Sequence, residues 1–267
     1  MKGKLIVIDG IDGSGKHTQA KELFNKLLDD ERIPNDKIAI QSFPNYDSAG
    51  CTMVQKYLDG TFGGDPKHIN SYLASTFYLI DQALSFKNDD WGKKYRNGGI
   101  VLLDRYYTSN IIHQGSKILF DEDNKDSHEV HKNFLDYITW IESMITRMDI
   151  TIPDKKIWLM LDKKNNESLI LNRLKDDNST HTSDIHENDF SYLDTCRETL
   201  NYYRKIVENN TTISVNADNP SIYDFVNNKD IFINTSENGN MRSIESISNE
   251  IYNHVDEVIN PDNYYVF

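Results

Sequence analysis

Cysteine, long apolar runs and basic charge are all scarce in this chain of 267 residues. Its two cysteines, Cys51 and Cys196, are too few and too far apart in the sequence for a disulfide framework or a zinc site, which predicts a reducing compartment. No stretch approaches the ~20 apolar residues that span a bilayer. We therefore expect neither a disulfide-rich protein nor a membrane-spanning one.

Basic side chains are outnumbered by acidic ones. The chain has 29 Lys and Arg against 42 Asp and Glu, a formal net charge of −13. Proteins that bind a nucleic-acid polymer neutralise its phosphates with lysine and arginine, so this balance argues against such a partner. A small phosphorylated ligand needs only a few local cations and stays compatible with the sequence.

The first residues also lack a full export signal. Lysines precede the apolar run Leu5–Ile8, but that run ends at Asp9 and glycines follow, well short of the apolar core of a signal peptide. Together with the cysteines, this predicts a cytoplasmic protein. A hydrophobic content of 38%, without repeats or long low-complexity tracts, predicts one α/β domain over residues 1–267.

A glycine-rich turn follows the first apolar run and precedes a helix-like segment. Residues 10–18 read Gly-Ile-Asp-Gly-Ser-Gly-Lys-His-Thr. Glycines let the backbone curl so that successive N–H groups face inward, the helix adds its positive end, and Lys16 supplies a mobile charge. This context favours a phosphate-binding loop over an ordinary glycine turn. The residues predicted to bind the phosphates of a nucleotide are Gly10, Gly13, Ser14, Gly15, Lys16, His17 and Thr18.

The position after Lys16 departs from the usual pattern of such loops. It is normally Ser or Thr, whose hydroxyl helps to hold the magnesium of a bound nucleotide, and here it is His17. Because neutral imidazole is a poor ligand for this hard ion, we expect Mg²⁺ to be held by phosphate oxygens, water and carboxylates, with His17 only beside the phosphates. Thr18 either supplies part of the missing hydroxyl or caps and packs locally.

Five short apolar runs alternate with longer amphipathic segments, as in a parallel sheet covered by helices on both faces. The predicted strands are Leu5–Ile8, Ile38–Phe43, Ile100–Leu103, Ile157–Leu161 and Ile231–Ile233. With the loop after the first strand, this order predicts an α/β fold of the P-loop NTPase type. Ligands of such sheets bind beyond the carboxyl ends of the strands, where the sequence has Asp9, Phe43, Asp104 and Asp162.

Four segments are predicted to lie outside the regular strands and helices. Residues 120–132 are polar and acidic, as in a surface excursion. Residues 175–189 are polar and lie between two helices, as in a lid that closes over a ligand. Residues 211–228 fit either an additional strand and turn or a loose insertion, and residues 256–267 are a tail.

A second polar cluster follows the third predicted strand. Arg105 stands at the end of that strand, from where it can grip a phosphate with two hydrogen bonds. Four polar residues then fall on one side of a starting helix and can line a pocket beside the arginine. They are Ser109, Asn110, His113 and Gln114. A strand-end salt bridge with a polar helix face is the alternative interpretation at this point.

Six ordered motifs together resemble those of the thymidylate kinase family, one of the nucleoside monophosphate kinase families, and are nearest to a bacterial branch of it. The match extends from Met1 to about Val255. The motifs are Asp9–Lys16, Phe43–Tyr46, Ala74–Tyr78, Asp104–Tyr106 with Ser109–Asn110, Asp184–Glu187 and Arg242–Glu245.

This resemblance implies roles for the matching residues. The loop around Lys16 would hold ATP, and Asp12 would face the acceptor nucleotide near its sugar hydroxyl and the Mg²⁺ that accompanies ATP. Asp12 and Asp104 are the candidate metal carboxylates. Arg105 would bind the acceptor phosphate, and Glu187 would anchor the lid. The resemblance also implies a homodimer that packs through helices near the third strand.

The resemblance implies a base pocket as well. Phe43 and Tyr78 would frame the base, with the Tyr78 ring stacked on thymine. The side chains that would contact base and sugar are Asn110, His113 and Gln114. A bulky group at His113 would disfavour a ribose 2′-hydroxyl and so select deoxynucleotides.

Two departures from the family bear on activity. Gln82 stands where an arginine usually hydrogen-bonds a thymine carbonyl, and because glutamine both donates and accepts, base preference stays open. The catalytic arginine usually comes from the loop, where this chain has Gly13, or from the lid. The lid has no arginine between Lys175 and His186, which leaves Arg173 and Lys175 near it. Loss of such a cation can cost ~10³-fold in rate, so we expect a slow enzyme.

The function implied by the resemblance is transfer of the γ-phosphoryl group of ATP to dTMP, giving dTDP and ADP. Two other functions stay compatible with the sequence. One is a kinase of the same architecture for another deoxynucleoside monophosphate, and Gln82 is the reason to keep it. The other is a nucleotide-binding protein that has lost catalysis, for which His17 and the arginine-free lid are the reasons.

Overall fold

The computed structural model describes residues 2–63, 68–121, 126–175, 190–209 and 229–259, and for residues 171–175 it describes the backbone alone. At its centre is a parallel sheet in the spatial order β2-β3-β1-β4-β5. The strands are β1 (Lys4–Gly10), β2 (Ile38–Ser42), β3 (Ile100–Asp104), β4 (Lys155–Met160) and β5 (Asp230–Asn234). All five predicted strands are confirmed.

Helices connect these strands and cover both faces of the sheet. Those described are α1 (Lys16–Leu28), α2 (Thr52–Leu58), α3 (Ser71–Asn88), α4 (Asp90–Arg96), α5 (Tyr107–His113), α6 (Gly115–Leu119), α7 (Ser127–Arg147), α8 (Lys163–Lys175), α9 (Phe190–Glu208) and α10 (Ile244–Ile259). A small hairpin, β6 (Ser236–Glu237) and β7 (Asn240–Met241), precedes α10. None of the helices described has the length and apolar character needed to cross a membrane.

Side chains of the sheet alternate between two hydrophobic layers. From β1, Leu5 and Val7 pack in a layer with α3, α4, α5, α7 and α9, whereas Ile6 and Ile8 pack in a layer with α1 and α10. Successive side chains of a strand point to opposite faces. The central strand is therefore buried on both sides, and its carboxyl end with the loop that follows is left as the place for a ligand.

Two predicted irregular segments are partly helical. Helix α7 begins at Ser127, so the irregular structure predicted for residues 120–132 is wrong from Ser127 onward, although most of residues 127–132 are exposed. The Asp126 side chain accepts a hydrogen bond from the His128 N–H and caps this helix, a local signal for a helix start. Helix α10 extends to Ile259 because Val255 and Ile259 continue its buried stripe, so the tail predicted from residue 256 is wrong over residues 256–259.

Three predicted segments fall wholly or mainly where no structure is described. They are residues 176–189 of the predicted lid, residues 211–228 and residues 260–267 of the predicted tail.

Candidate functional site

The glycine-rich loop joins β1 to α1 at the carboxyl end of the sheet. Gly13 and Gly15 have φ angles of +84° and +89°, in the left-handed region that residues with a Cβ rarely adopt. Gly15 is the N-cap of α1, and its carbonyl accepts a hydrogen bond from Gln19 N–H at 2.9 Å. The loop therefore has the curled backbone that its glycines predicted, with the positive end of α1 beside it.

The Lys16 side chain folds over this loop and is buried. Its Nζ donates to the carbonyl oxygens of Gly10 and Ile11, at 3.0 and 2.8 Å, and lies 3.5 Å from Oδ1 of Asp12. Burial and the charge of Arg105 lower the pKa of Lys16, against the opposing effect of Asp12. The ammonium group thus lies where a phosphate oxygen would compete with the two carbonyls.

Arg105 reaches the loop from the end of β3. Its backbone has a φ of 67°, its N–H donates to the Ile8 carbonyl at 3.1 Å, and its Nη2 donates to Oδ1 of Asp12. Burial would raise the pKa of Asp12, but Arg105 and Lys16 outweigh it and hold that pKa well below its usual value. Burial would lower the pKa of Arg105, but the carboxylates of Asp12 and Asp9 raise it instead. Both members of the pair are therefore charged at neutral pH.

Asp9 links the loop to α5. Its carboxylate accepts hydrogen bonds from Thr108 Oγ1 at 2.6 Å, from Ser109 Oγ at 2.8 and 2.9 Å, and from the Gly10 N–H at 2.8 Å. Burial raises the pKa of Asp9, against the opposing effect of Arg105. The Ser109 hydroxyl, predicted to contact the substrate, is used here to fix α5 against the loop.

Asp104 lies on the other side of the loop, next to His17. Nδ1 of His17 is 3.0 Å from Oδ2 of Asp104, and Ser42 Oγ is 3.5 Å from the same oxygen. Among the residues described, no group of three or more His, Cys, Asp and Glu side chains could hold a metal ion. Asp12 and Asp104 remain as separate carboxylates near the loop. Such a donor set fits Mg²⁺, which binds through few carboxylates and keeps waters and phosphate oxygens as ligands.

Three residues predicted to recognise the acceptor lie on α3, on α5 and at the residue that directly follows α5. Gln82, Asn110 and Gln114 are at most 3% exposed. Gln82 Oε1, Asn110 Nδ2 and Gln114 Oε1 have no hydrogen-bond partner in the part of the chain that is described. Buried polar atoms cost free energy unless water or a ligand pairs with them. Gln114 Nε2 donates to the Tyr57 hydroxyl at 3.1 Å, and the Tyr57 ring meets Tyr78 edge-on at 6.1 Å.

Phe43 and His113 both contact aromatic rings. Phe43 is 5% exposed and packs against Trp91 and Tyr106, with ring centroids 5.9 and 6.1 Å apart, so it supports the site from within the core. His113 stacks on Tyr192 of α9, and its Nδ1 lies 3.1 Å from the Tyr192 hydroxyl. Tyr192 has no local signal in the sequence that would mark it as part of the site.

Sequence reasoning also missed Asn166, which contacts the loop, and Arg197, which contacts Asn166. Asn166 Nδ2 donates to the Asp12 carbonyl at 2.6 Å, and Arg197 Nη2 donates to Asn166 Oδ1 at 2.8 Å. The polar run that follows β4 could have indicated Asn166. The strand-end residue Asp162 instead accepts the Asn165 N–H at 2.9 Å in the first turn of α8.

The remaining predicted residues have little or no described environment. Thr18 is exposed on the first turn of α1. Arg173 and Lys175 belong to the end of α8, where only the backbone is described, and Glu187 lies outside the described residues.

Comparison with known proteins gives consistent matches. A family model described as thymidylate kinase matches residues 8–228. A thymidylate kinase of Prochlorococcus marinus (strain NATL2A) is 34% identical over 116 residues, 43% of this chain and 53% of that protein. One of Schizosaccharomyces pombe is 31% identical over 124 residues, 43% of this chain and 50% of that protein. The chain thus aligns with about half the length of these curated relatives.

Solved structures show the same fold. A thymidylate kinase from Candida albicans superposes with a TM-score of 0.59 at 16% identity, covering 96% of this chain and 92% of that one. One from Ehrlichia chaffeensis gives a TM-score of 0.55 at 15% identity, covering 96% of this chain and 100% of that one. Because the family model covers most of the sequence, including the loop at residues 10–18 and the Arg105 cluster, the chain belongs to the thymidylate kinase family.

Proposed function

We propose that this protein transfers the γ-phosphoryl group of ATP to the phosphate of dTMP, giving dTDP and ADP. The observation that carries the proposal is that Lys16 and Arg105, from different elements, both lie against the Asp12 carboxylate. A loop that binds one polyphosphate and a guanidinium across from it would hold two anionic tails end to end. The name shared by the curated relatives supports dTMP as the acceptor.

Alignment and charge would supply the catalysis. The attacking phosphate oxygen is already ionised at neutral pH, so no protein base is needed. Lys16 and Arg105 would offset the negative charge on the phosphoryl oxygens, and holding both nucleotides in line would remove much of the entropic barrier. Mg²⁺, near Asp12 and Asp104, would neutralise charge on the phosphates of ATP. Residues 175–189 would form the lid that excludes water, with Arg173, Lys175 and Glu187 in or beside it.

Recognition of the acceptor would fall to α3 and α5. The unpartnered amide atoms of Gln82, Asn110 and Gln114 support hydrogen bonds to a nucleobase, because burial without a partner would otherwise cost free energy. Tyr78 would stack on the base. His113, held by Tyr192, would lie against the deoxyribose and disfavour a 2′-hydroxyl.

A homodimer through α3 belongs to the same proposal. Leu73, Ile80 and Leu84 are 51%, 37% and 40% exposed, and their spacing places them along one side of this helix. Contiguous exposed apolar surface of this kind is typical of protein interfaces. The chain would act as one domain in the cytoplasm, where its two cysteines, which are free and buried, would stay reduced.

An ADP-release assay with ATP and each of dTMP, dUMP, dCMP, dGMP and dAMP tests the function. The highest kcat/KM with dTMP supports the proposal. A strong preference for another acceptor would show a kinase of different base specificity, which the unpartnered Oε1 of Gln82 favours as the second candidate. Binding of ATP with no transfer to any acceptor over hours would indicate a nucleotide-binding protein without catalysis.

A further inference from the structure

The peptide between Asp12 and Gly13 is fixed from outside the phosphate-binding loop. Asn166, in the first turn of α8, is fully buried, and its Nδ2 donates to the Asp12 carbonyl oxygen at 2.6 Å. A Cβ placed on Gly13 would lie 2.6 Å from the same Nδ2. The Asn166 amide therefore occupies the space that a side chain at position 13 would need.

Arg197 of α9 holds this amide in turn. Its Nη2 donates to Asn166 Oδ1 at 2.8 Å, and its Nη1 donates to Asp194, which also accepts from Lys163 of α8. The Arg197 side chain is 13% exposed, and its Nε is buried without a partner among the described residues. A planar guanidinium bound in this way has a fixed orientation, and its charge strengthens the donation from Asn166 to the loop carbonyl.

Because the peptide between Asp12 and Gly13 is planar, the hydrogen bond from Asn166 also determines the orientation of the Gly13 N–H. The C=O and N–H groups of a trans peptide point in opposite directions. Because the Asp12 carbonyl is bonded to α8, the Gly13 N–H is turned away from α8. Phosphate-binding loops work through backbone N–H groups held in a common inward orientation. Asn166 thus sets the direction of one of these donors.

We propose that Asn166 and Arg197 are positioning residues for the donor nucleotide, because together they hold the Gly13 N–H in the orientation that binds a phosphate of ATP. This inference rests on the proposed function only in requiring that the loop binds ATP. The pair also joins α8 and α9, the helices that flank residues 176–189.

Asn166→Asp tests the proposal. The carboxylate keeps the size of the side chain and its contact with Arg197, but it cannot donate to the Asp12 carbonyl and repels it. We expect the dissociation constant of Mg·ATP, measured by calorimetry without an acceptor, to rise about tenfold or more. The KM of the acceptor is expected to stay within about twofold of wild type, because the acceptor binds elsewhere. Asn201→Asp, the same change at an exposed position of α9, is the matched control.

Arg197→Gln and Asn166→Ala test whether the two residues act as one unit. Each alone is expected to weaken ATP binding, and the double variant is expected to bind no more weakly than Asn166→Ala. Circular dichroism reports whether each variant is folded; if Asn166→Asp is not, this pair of variants decides. Unchanged ATP affinity in folded variants, or additive losses in the double variant, would overturn the proposal. A wrong acceptor assignment leaves these results intact, whereas failure of the wild-type protein to bind ATP would remove the proposed function itself.

Discussion

Nη2 of Arg105 donates a hydrogen bond to Oδ1 of Asp12, which joins the end of β3 to the loop after β1 through one charge pair. Lys16 Nζ lies 3.5 Å from the same oxygen. One carboxylate between two cations attracts both, offsets their mutual repulsion and holds them close to the place where two phosphates would meet. Separating a buried ion pair leaves each charge without its partner and costs free energy. The pair is therefore expected to be formed before any nucleotide binds.

Arg105→Ala is expected to lower kcat/KM by about 100-fold or more. The acceptor phosphate would lose a bidentate hydrogen-bond partner, and the phosphoryl group being transferred would lose a nearby cation. The ADP-release assay with the best acceptor measures this. Arg32→Ala, at a surface arginine paired with Asp30 and Asp256, controls for general loss of an arginine. Activity of Arg105→Ala within about threefold of wild type would contradict the assigned role.

Lys16→Met is expected to nearly abolish turnover, with a loss of about 100-fold or more, because the loop keeps its backbone donors but loses its mobile positive charge. Lys21→Met removes an exposed lysine from the same helix and should leave kcat unchanged. The assignment of Lys16 to the phosphates is wrong if both variants retain similar rates.

The loop and the strands could be predicted because their signals are local. A position that must adopt a left-handed φ, such as Gly13 or Gly15, is recognised by the glycine itself. A strand that is buried on both faces is recognised by a run of apolar residues. Arg105 could be placed at the site because the carboxyl ends of parallel strands share one edge of the sheet.

The contacts around that edge could not be predicted, because they depend on how helices pack. Asp12 and Asn166 are 154 residues apart in the sequence, and their hydrogen bond exists only because α8 lies against the loop. Phe43 shows the same limit. The identity of an aromatic residue after a strand does not reveal its neighbours, and the packing of Phe43 against Trp91 depends on where α4 lies.

The free energy of unfolding is expected to decrease as the pH rises from about 4 to about 6, because of Asp81. Burial raises the pKa of this carboxyl to about 6, with the Asn45 N–H opposing the shift and Asp89 adding to it. The pKa in an unfolded chain is about 3.9. The folded state therefore binds more protons in this window, and the free energy of unfolding decreases as pH rises through it.

Asp81→Asn removes this titration while keeping an oxygen that can accept the Asn45 N–H. The free energy of unfolding of the variant relative to wild type should therefore increase from about pH 4 to about pH 7, as measured by urea denaturation. Asp36→Asn, the same change at an exposed position, is the matched control. An equal difference at both pH values for Asp81→Asn would contradict the shifted pKa.

Lys156→Met is expected to destabilise the fold by about 3–5 kcal/mol, because it leaves two buried carboxylates uncompensated. Lys156 Nζ lies 3.0 Å from Glu142 Oε1 and 3.6 Å from Asp230 Oδ2, and all three side chains are at most 3% exposed. Burial would lower the pKa of Lys156, but these carboxylates raise it well above its usual value. Chemical denaturation measures the loss. Lys155→Met, whose partner Glu257 is mostly exposed, should cost less than about 1 kcal/mol.

Gln82→Met tests whether the buried amide on α3 reads the acceptor base. Methionine keeps the length and burial of the side chain but has no amide atoms, so kcat/KM for the preferred acceptor should fall about tenfold or more while the KM for ATP stays unchanged. Gln82→Glu keeps only acceptor atoms. It should therefore disfavour dTMP, whose base presents a carbonyl, relative to dCMP, whose base presents an amino group at the same position.

Gln55→Met, on the exposed side of α2, is the matched control for loss of a glutamine amide. The ratio of kcat/KM for dTMP to that for dCMP is the deciding quantity, because it cancels any change in the amount of folded enzyme. If this ratio is the same in wild type, Gln82→Met and Gln82→Glu, the amide does not contact the base. Its unpartnered Oε1 would then be paired by water, and the selection of the acceptor would rest on Asn110 and Gln114.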